Sequence, residues 1–139
     1  MLTACEVAVK SVLPALRGAV VRRLYRDFGM RQVEIAKALG ITQPAVSHYL
    51  RGSRGAVIAV EGLRELDGEL RNFAQELAGL DLSALEQRER FCRLCTIVRT
   101  NGLMCDVHKR YDPSVEGDGC TLCRYEEYCS VRDEKSYGG

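Results

Sequence analysis

Apolar residues recur at helical spacing along most of the chain, and this pattern predicts an all-α fold. Near the start, one apolar residue falls at every fourth position, in Leu16, Val20, Leu24 and Phe28. The repeat predicts a helix from about Pro14 to Phe28 that buries one face and ends at Gly29. No apolar run approaches the roughly 20 residues of a membrane span, so we expect a soluble, cytoplasmic protein.

A heptad-like seam runs through the middle of the chain, where apolar residues alternate steps of three and four. The seam residues are Ala56, Ala59, Leu63, Leu66, Leu70, Phe73, Leu77 and Leu80. They predict one long helix over residues 56–82. Two interpretations are open at this point: the seam packs on its own domain, or it pairs with a second copy of the chain.

The segment from Gln32 to Leu50 has the features of two short helices joined by a tight turn. Ala36 is small where the two helices would cross, and Gly40 follows four residues later, where the turn needs a positive φ. Thr42 can cap the second helix, and Pro44 falls in its first turn. The apolar positions that would bury the pair are Ile35, Leu39, Ile41, Val46 and Leu50. Together these positions predict a helix-turn-helix.

Charge is distributed unevenly, although the whole chain carries a formal net charge of only +1. Residues 1–55 hold nine Lys and Arg against three Asp and Glu, a net charge of +6. Residues 56–139 hold eleven against sixteen, a net charge of −5. A basic first part suits the phosphates of double-stranded DNA, and an acidic second part would be held away from them.

The helix from Thr42 to Arg51 is expected to enter a DNA major groove, with nearby basic residues on the phosphates. The candidate base-reading residues are Gln43, Ser47, His48 and Arg51. Arg31, Thr42 and Arg54 are expected on phosphates, and Gln32 is a further candidate at this interface. Glutamine can pair with adenine and arginine with guanine, each pairing giving about 1–3 kcal/mol of discrimination. The four arginines of the preceding helix fit either a solvated face or phosphate contact: Arg17, Arg22, Arg23 and Arg26.

Six of the seven cysteines crowd into the last third of the chain in closely spaced groups. The odd count and the lack of a secretion signal argue against a disulfide framework and favour a metal or cluster site. The candidate ligands are Cys92, Cys95, Cys105, Cys120, Cys123 and Cys129, with His108 as an alternative to one of them. Since this region has few large apolar residues, we expect a bound metal to supply part of its stability.

Two metal centres fit the cysteine spacing. Zinc needs four tetrahedral ligands, which two C-x2-C pairs can provide. A [4Fe-4S] cluster also needs four cysteines, and the C-x2-C-x5-C run of Cys120, Cys123 and Cys129 provides three. That run resembles the cluster motif of oxygen-sensing bacterial regulators of the fumarate and nitrate reduction type. A redox- or oxygen-sensing [4Fe-4S] cluster is therefore favoured, and a structural Zn²⁺ site is the alternative.

Most of the chain also resembles a family. The stretch VLPALRGAVVRRLYRDFGMRQVEIAKALGITQPAVSHYLRGSRG resembles the N-terminal domain of predicted archaeal transcriptional regulators with an Xre-type helix-turn-helix. The later FCRLC, GLMCDVH and GCTLC are similar to the cysteine-bearing C-terminal part of the same group. The resemblance runs from about Leu13 to Cys123. It implies sequence-specific DNA binding and regulation of transcription, carried here by the segment from Gln32 to Arg51.

These patterns divide the chain into four predicted parts. Residues 1–55 form the helix-turn-helix domain and residues 56–82 a long helix that makes a homodimer, because such DNA readers bind two half-sites. Residues 83–129 form a cysteine-rich metal module, opened by a helix whose capping box is Ser83 and Glu86. Residues 130–139 form a frayed tail. No set of acid, base and nucleophile is evident, so we expect no enzymatic activity and no small-molecule substrate.

Overall fold

The computed structural model describes residues 1–55, 57–117 and 119–124. Over these ranges the chain is helical and contains no strand, which confirms the all-α prediction. The helices are α1 (Ala4–Lys10), α2 (Val12–Arg26), α3 (Gln32–Leu39), α4 (Gln43–Leu50), α5 (Arg64–Ala78), α6 (Ala84–Thr100), α7 (Cys105–Tyr111) and α8 (Ser114–Gly117), followed by a 3-10 helix (Leu122–Arg124). None of the described helices combines the length and apolar character that crossing a bilayer requires.

Helix α2 lies at the centre of the fold, where it packs against α1, α4, α5 and α6. Its predicted apolar stripe is confirmed at Leu16, Val20 and Leu24, all fully buried. The helix begins and ends two residues earlier than predicted, at Val12 and Arg26. Phe28 therefore lies beyond the helix, where it is 39% exposed and does not extend the stripe.

Half of the predicted apolar seam is used inside the fold. Of the other seam residues, Ala59 and Leu80 are exposed, Leu63 is half-buried and Ala56 lies outside the described residues. The prediction of one helix over residues 56–82 was too long, because α5 spans only Arg64–Ala78. Residues 57–63 form bends and a turn in which Gly62 has a φ of +102°, and beyond Ala78 the positive φ of Leu80 is incompatible with a helix. The four seam residues on α5 are buried in the core of their own chain: Leu66, Leu70, Phe73 and Leu77. The structure thus favours packing on the same domain for these four side chains, and pairing with a second chain needs another surface.

Helix α6 follows the sequence prediction closely. It begins after Ser83, whose hydroxyl accepts from the Glu86 N–H at 3.2 Å while the Glu86 carboxylate accepts from the Ser83 N–H at 2.7 Å. It ends at Thr100, before Asn101 and Gly102. Its buried residues share the core of α2 and α5, together with two residues beyond α6: Leu94, Val98, Met104 and Val107. The cysteine-bearing region therefore packs on the same core as the N-terminal helices.

Helix α7 holds the N-terminal residues in place. The Leu2 N–H donates to Asp112 Oδ2 at 2.9 Å, just after α7 ends. His108, which is 8% exposed, lies with its Nε2 2.8 Å from the Leu2 carbonyl oxygen. Because a carbonyl oxygen only accepts, this imidazole nitrogen is the donor. The two bonds connect the cysteine-bearing end of the chain with α1, which packs on α2.

Candidate nucleic-acid interface

The turn between α3 and α4 has the predicted geometry. Gly40 ends α3 with φ +64° and ψ +33°, in the left-handed region that costs residues with a Cβ about 1–2 kcal/mol. The Ile41 N–H then donates to the Ala36 carbonyl at 3.0 Å, which closes the helix end. This turn directs the chain from one helix into the next within three residues.

Helix α4 begins at a capped N-terminus. Thr42 Oγ1 accepts from the Ala45 N–H at 3.2 Å, and Pro44 lies in the first turn, where no intrahelical donor is needed. The helix packs against α2 and α3. Its buried residues are Ala45, Val46 and Tyr49.

Tyr49 is a core residue that the sequence analysis missed. It is 6% exposed and lies against α2 at Gly18, where an added Cβ would come within 3.3 Å of the Tyr49 ring. The spacing of three residues from Val46 was the available signal, since residues three apart share one helix face. Tyr49 and Val46 thus fix which side of α4 faces inward.

The opposite side of α4 carries the predicted base-reading residues. Gln43 and Arg51 are exposed, while Ser47 and His48 are half-buried. Thr42 is also exposed, next to the N-terminal end of the helix. A polar face of this kind, supported from behind by a packed one, is what a helix needs to enter a major groove.

A hydrogen bond connects the first residues of the two motif helices. Gln43 Nε2 donates to Gln32 Oε1 at 2.9 Å. A glutamine amide has two N–H donors and one acceptor oxygen, so Gln43 keeps one donor and its oxygen for another partner. The sequence analysis placed both residues at the interface without predicting this contact.

A second contact orients the ring of His48. Its Nδ1 lies 3.0 Å from Ser53 Oγ, and Ser53 Oγ also donates to the His48 carbonyl oxygen at 3.1 Å. Ser53 lies beyond the end of α4, in the segment between α4 and α5. It was not among the predicted site residues, because no sequence spacing distinguishes it from an ordinary turn serine.

The arginines predicted to contact DNA, Arg31 and Arg54 on phosphates and Arg51 on a base, differ in their surroundings. Arg31 has an 81% exposed side chain that pairs with Glu34 at 3.1 Å. The Glu34 pKa is lowered, chiefly because its carboxylate accepts from the Arg31 backbone N–H and side chain. Arg54 and Arg51 are exposed, and neither makes an ion pair with any residue that the structure describes. These two arginines are open to an external anion.

Three of the four arginines on α2 make contacts inside the protein. Arg22 pairs with Glu61 at 2.8 Å, and Arg23 pairs with Asp67 at 3.1 Å. The Arg17 guanidinium lies 5.7 Å from the centre of the Phe91 ring, within the range of a cation–π contact. The structure thus favours a structural role for these three side chains over phosphate contact.

The cysteine-rich end is described as far as Arg124, so Cys129 lies outside the described residues. Cys92 is exposed and Cys95 half-buried, one turn apart on α6. Cys105 and Cys123 are half-buried and Cys120 is exposed. The 3-10 helix that contains Cys123 packs against α6.

Burial and two neighbouring thiols act on Cys105. Burial raises the pKa of Cys105, and the nearby Cys123 and Cys120 thiolates raise it further. Within residues 1–55, 57–117 and 119–124, however, no three His, Cys, Asp or Glu side chains converge closely enough to hold a metal ion. The described part thus contains neighbouring thiols without a formed ligand set. His108 Nε2 is committed to the Leu2 carbonyl, so this nitrogen cannot ligate a metal while that bond persists.

Comparison with known proteins agrees with the geometry of the motif. Residues 21–56 match a family model described as Helix-turn-helix. No curated protein and no solved structure matches the chain at a significant level. The matched segment contains α3, the Gly40 turn and α4, and it includes every predicted DNA-contacting residue. The chain therefore carries the helix-turn-helix DNA-binding domain of a transcriptional regulator.

Proposed function

We propose that this protein binds specific sites on double-stranded DNA and that α4 reads the bases. The observation that carries the proposal is the polar outer face of α4, on which Gln43 is oriented by Gln32 at 2.9 Å. A glutamine held in this way can present its oxygen to adenine N6 and its free N–H to adenine N7. Arg51 at the other end of the helix is suited to a guanine edge.

Electrostatics supports the same surface. All but the last residue of the matched segment, 21–56, lies in residues 1–55, which carry the net charge of +6. Neither Arg54, expected on a phosphate, nor Arg51, expected on a base, has an ion pair among the described residues, so contact with DNA breaks no salt bridge there. Arg31 already pairs with Glu34, so it gives up part of that contact on binding DNA.

A selection from random double-stranded DNA tests the proposal. We expect wild-type protein to enrich a defined site, and Gln43→Ala to lose the preference at one base pair. Gln75→Ala is the matched control, because Gln75 is an exposed glutamine on α5, outside the matched domain. No enriched site, or equal loss from both variants, would contradict α4 as the reading helix.

We further propose that the protein acts as a homodimer, since one domain reads only one half-site. The four seam residues on α5 are buried, so the contact must use apolar residues that remain exposed, such as the last seam residue and its neighbours. Leu80 and Leu85 are 80% and 62% exposed around the connection of α5 and α6. Sedimentation should show a dimer that Leu85→Glu weakens, whereas Val9→Glu, at an exposed position on α1, leaves it intact. A monomer at all concentrations would contradict this step.

The cysteines support a metal-binding role as a separate proposal. Four of the six thiols from Cys92 to Cys129 would hold a [4Fe-4S] cluster, which when bound supplies one-electron redox chemistry sensitive to oxygen. Cys120 and Cys123 lie near enough to Cys105 to raise its pKa. Iron and sulfide analysis of anaerobically purified protein tests this proposal. Zinc with no sulfide would favour the alternative, a structural zinc site.

The cluster proposal extends to regulation through the shared core. Helix α6 packs directly on α2, which in turn packs on α4. A structural change at the cysteines of α6 can therefore be transmitted through α2 to the position of α4. Operator affinity should differ between the protein with intact, oxidised and removed cluster. Equal affinity in all three states would leave a structural role only.

A further inference from the structure

We infer that Ser53 is a positioning residue that fixes the His48 ring with a proton on Nδ1, so that Nε2 reads an amino group of adenine or cytosine. The inference deepens the proposed function and rests on α4 facing DNA. It assigns a role to a serine outside both motif helices, and it specifies the chemistry that His48 presents.

The position of Ser53 is set by the C-terminal end of α4. After Leu50 and Arg51, Gly52 adopts φ +75°, and its N–H donates to the Tyr49 carbonyl at 3.2 Å. The Ser53 N–H then donates to the His48 carbonyl at 3.1 Å. These two bonds form a Schellman motif, a common way to satisfy the last carbonyls of a helix. The motif places the Ser53 side chain directly over the last turn of α4.

The protons in this contact can be assigned from the acceptor chemistry. Ser53 Oγ lies 3.1 Å from the His48 carbonyl oxygen, which can only accept, so the single hydroxyl proton of Ser53 is directed there. Ser53 Oγ also lies 3.0 Å from His48 Nδ1. With its proton already used, the hydroxyl oxygen must accept at this second contact. On this assignment His48 Nδ1 carries a proton and donates to Ser53 Oγ, whereas in the other tautomer Ser53 Oγ would donate to Nδ1.

The assignment leaves Nε2 as the reading atom of the neutral ring. In a neutral imidazole only one nitrogen is protonated, so Nε2 has a free lone pair and accepts. No described residue hydrogen-bonds to Nε2, and the ring is only half-buried. In the major groove, the amino groups of adenine N6 and cytosine N4 donate, whereas guanine N7 and O6 accept. The neutral ring therefore favours adenine or cytosine over guanine at the base it contacts.

Nitrogen-15 NMR on the free protein tests the tautomer without any DNA. At about pH 8, where exposed histidines are neutral, long-range proton–nitrogen correlations should identify His48 Nδ1 as the protonated nitrogen. In Ser53→Ala the ring should shift toward the Nε2-protonated form, and Ser53→Thr, which keeps the hydroxyl, should restore the wild-type pattern. A wild-type ring protonated mainly on Nε2 would overturn the inference.

DNA-binding measurements then test whether the tautomer of His48 contributes to base discrimination. With the selected site, Ser53→Ala should lose roughly 3- to 10-fold of discrimination at one base pair, the size of one neutral hydrogen bond. His48→Ala should lose preference at the same pair, and the double variant should lose no more than His48→Ala alone, because Ser53 acts through the ring. Thermal melting verifies that each variant is folded.

The two levels of the proposal fail in different ways. If no DNA site is selected at all, the proposed function fails while the NMR assignment is judged separately. If a site is selected but Ser53→Ala keeps wild-type discrimination, or changes a base pair that His48→Ala does not affect, the positioning role of Ser53 is refuted and DNA binding stands.

Discussion

Gln43 at the start of α4 donates its amide proton to Gln32 at the start of α3, across a distance of 2.9 Å. The two side chains come from different helices, so the bond fixes an exposed amide that would otherwise rotate freely. Fixing it in advance reduces the entropy lost when a base is bound. The helix-turn-helix thus holds the hydrogen-bonding groups of the Gln43 amide in a fixed orientation before DNA binds.

The first prediction concerns this pair. Gln43→Ala should remove base preference at one position, and Gln32→Ala should weaken the same preference by roughly 0.5–1.5 kcal/mol, since the amide loses its orienting bond. Competition binding with single-base variants of the selected site measures both losses. The double variant should match Gln43→Ala alone. Additive losses at two different base pairs would show that the glutamines act independently.

The second prediction separates phosphate binding from base reading. Arg54 is exposed beyond the end of α4 and has no described ion-pair partner. Arg54→Ala should weaken binding to all sequences alike. It should also make the slope of log affinity against log salt concentration less steep, by about the amount that one phosphate contact contributes. Arg22→Ala serves for comparison, because Arg22 already pairs with Glu61 and should affect folding stability more than the salt slope. A change of base preference in Arg54→Ala would contradict the phosphate assignment.

The helix-turn-helix could be predicted well from the sequence because its signals are local. Gly40 and Thr42 act on the backbone within three or four residues of themselves, as in the structure, where Thr42 Oγ1 accepts from Ala45. Such signals do not depend on what the rest of the chain does. The capping box of Ser83 and Glu86 was predictable for the same reason.

Long-range pairings could not be predicted from the sequence. The seam indicated an apolar face on α5 but did not identify the residues that pack against this face. One of them is Phe91 of α6, whose ring makes an edge-to-face contact with Phe73 at 5.1 Å between ring centres. His108 appeared at ligand spacing from Cys105, yet it donates to Leu2 at the other end of the chain. Spacing shows which residues can share a site, while the partner chosen depends on the tertiary fold.

The third prediction concerns the stability effect of two residues whose backbone lies in the left-handed region. Gly40 has φ +64° and Leu80 has φ +57°, the only positive φ of a non-glycine residue in the described part. At protein concentrations too low for a dimer to form, Leu80→Gly should raise the free energy of unfolding by about 1 kcal/mol, because an 80% exposed leucine loses little packing and its backbone strain is removed. Gly40→Ala should lower that free energy by about 1–2 kcal/mol.

Chemical denaturation measures both changes. One substitution removes a Cβ and the other adds one at a similar positive φ, so each serves as the control for the other. A loss of stability in Leu80→Gly comparable to that in Gly40→Ala would mean that Leu80 makes an apolar contact in solution, as a dimer interface would provide. Repeating the measurement at different protein concentrations distinguishes that case, since a dimer contact depends on concentration.

The fourth prediction concerns the pH dependence of stability. The Asp112 pKa is lowered, mainly by its hydrogen bond from the Ser114 side chain and next by the bond from the Leu2 N–H. Glu6, Glu34 and Glu86 also have lowered pKa values, each through backbone and side-chain hydrogen bonds in its own helix start. A carboxyl group with a lowered pKa in the folded state stabilises the fold above its unfolded pKa. That stabilisation is lost as pH falls through the folded value.

Asp112→Asn should therefore melt at a lower temperature than wild type near neutral pH. The difference should begin to shrink as the pH falls below about 4, the ordinary pKa of an aspartate, and should disappear only below the lowered pKa of the folded carboxyl. Amide exchange at Leu2 and along α1 should accelerate in the variant, because a neutral carboxamide oxygen accepts more weakly from the Leu2 N–H than the Asp112 carboxylate does. Asp106→Asn is the control, an exposed aspartate on α7 with no hydrogen bond among the described residues. If the melting difference were the same at every pH, the Asp112 charge would contribute nothing and only the shape of the side chain would matter.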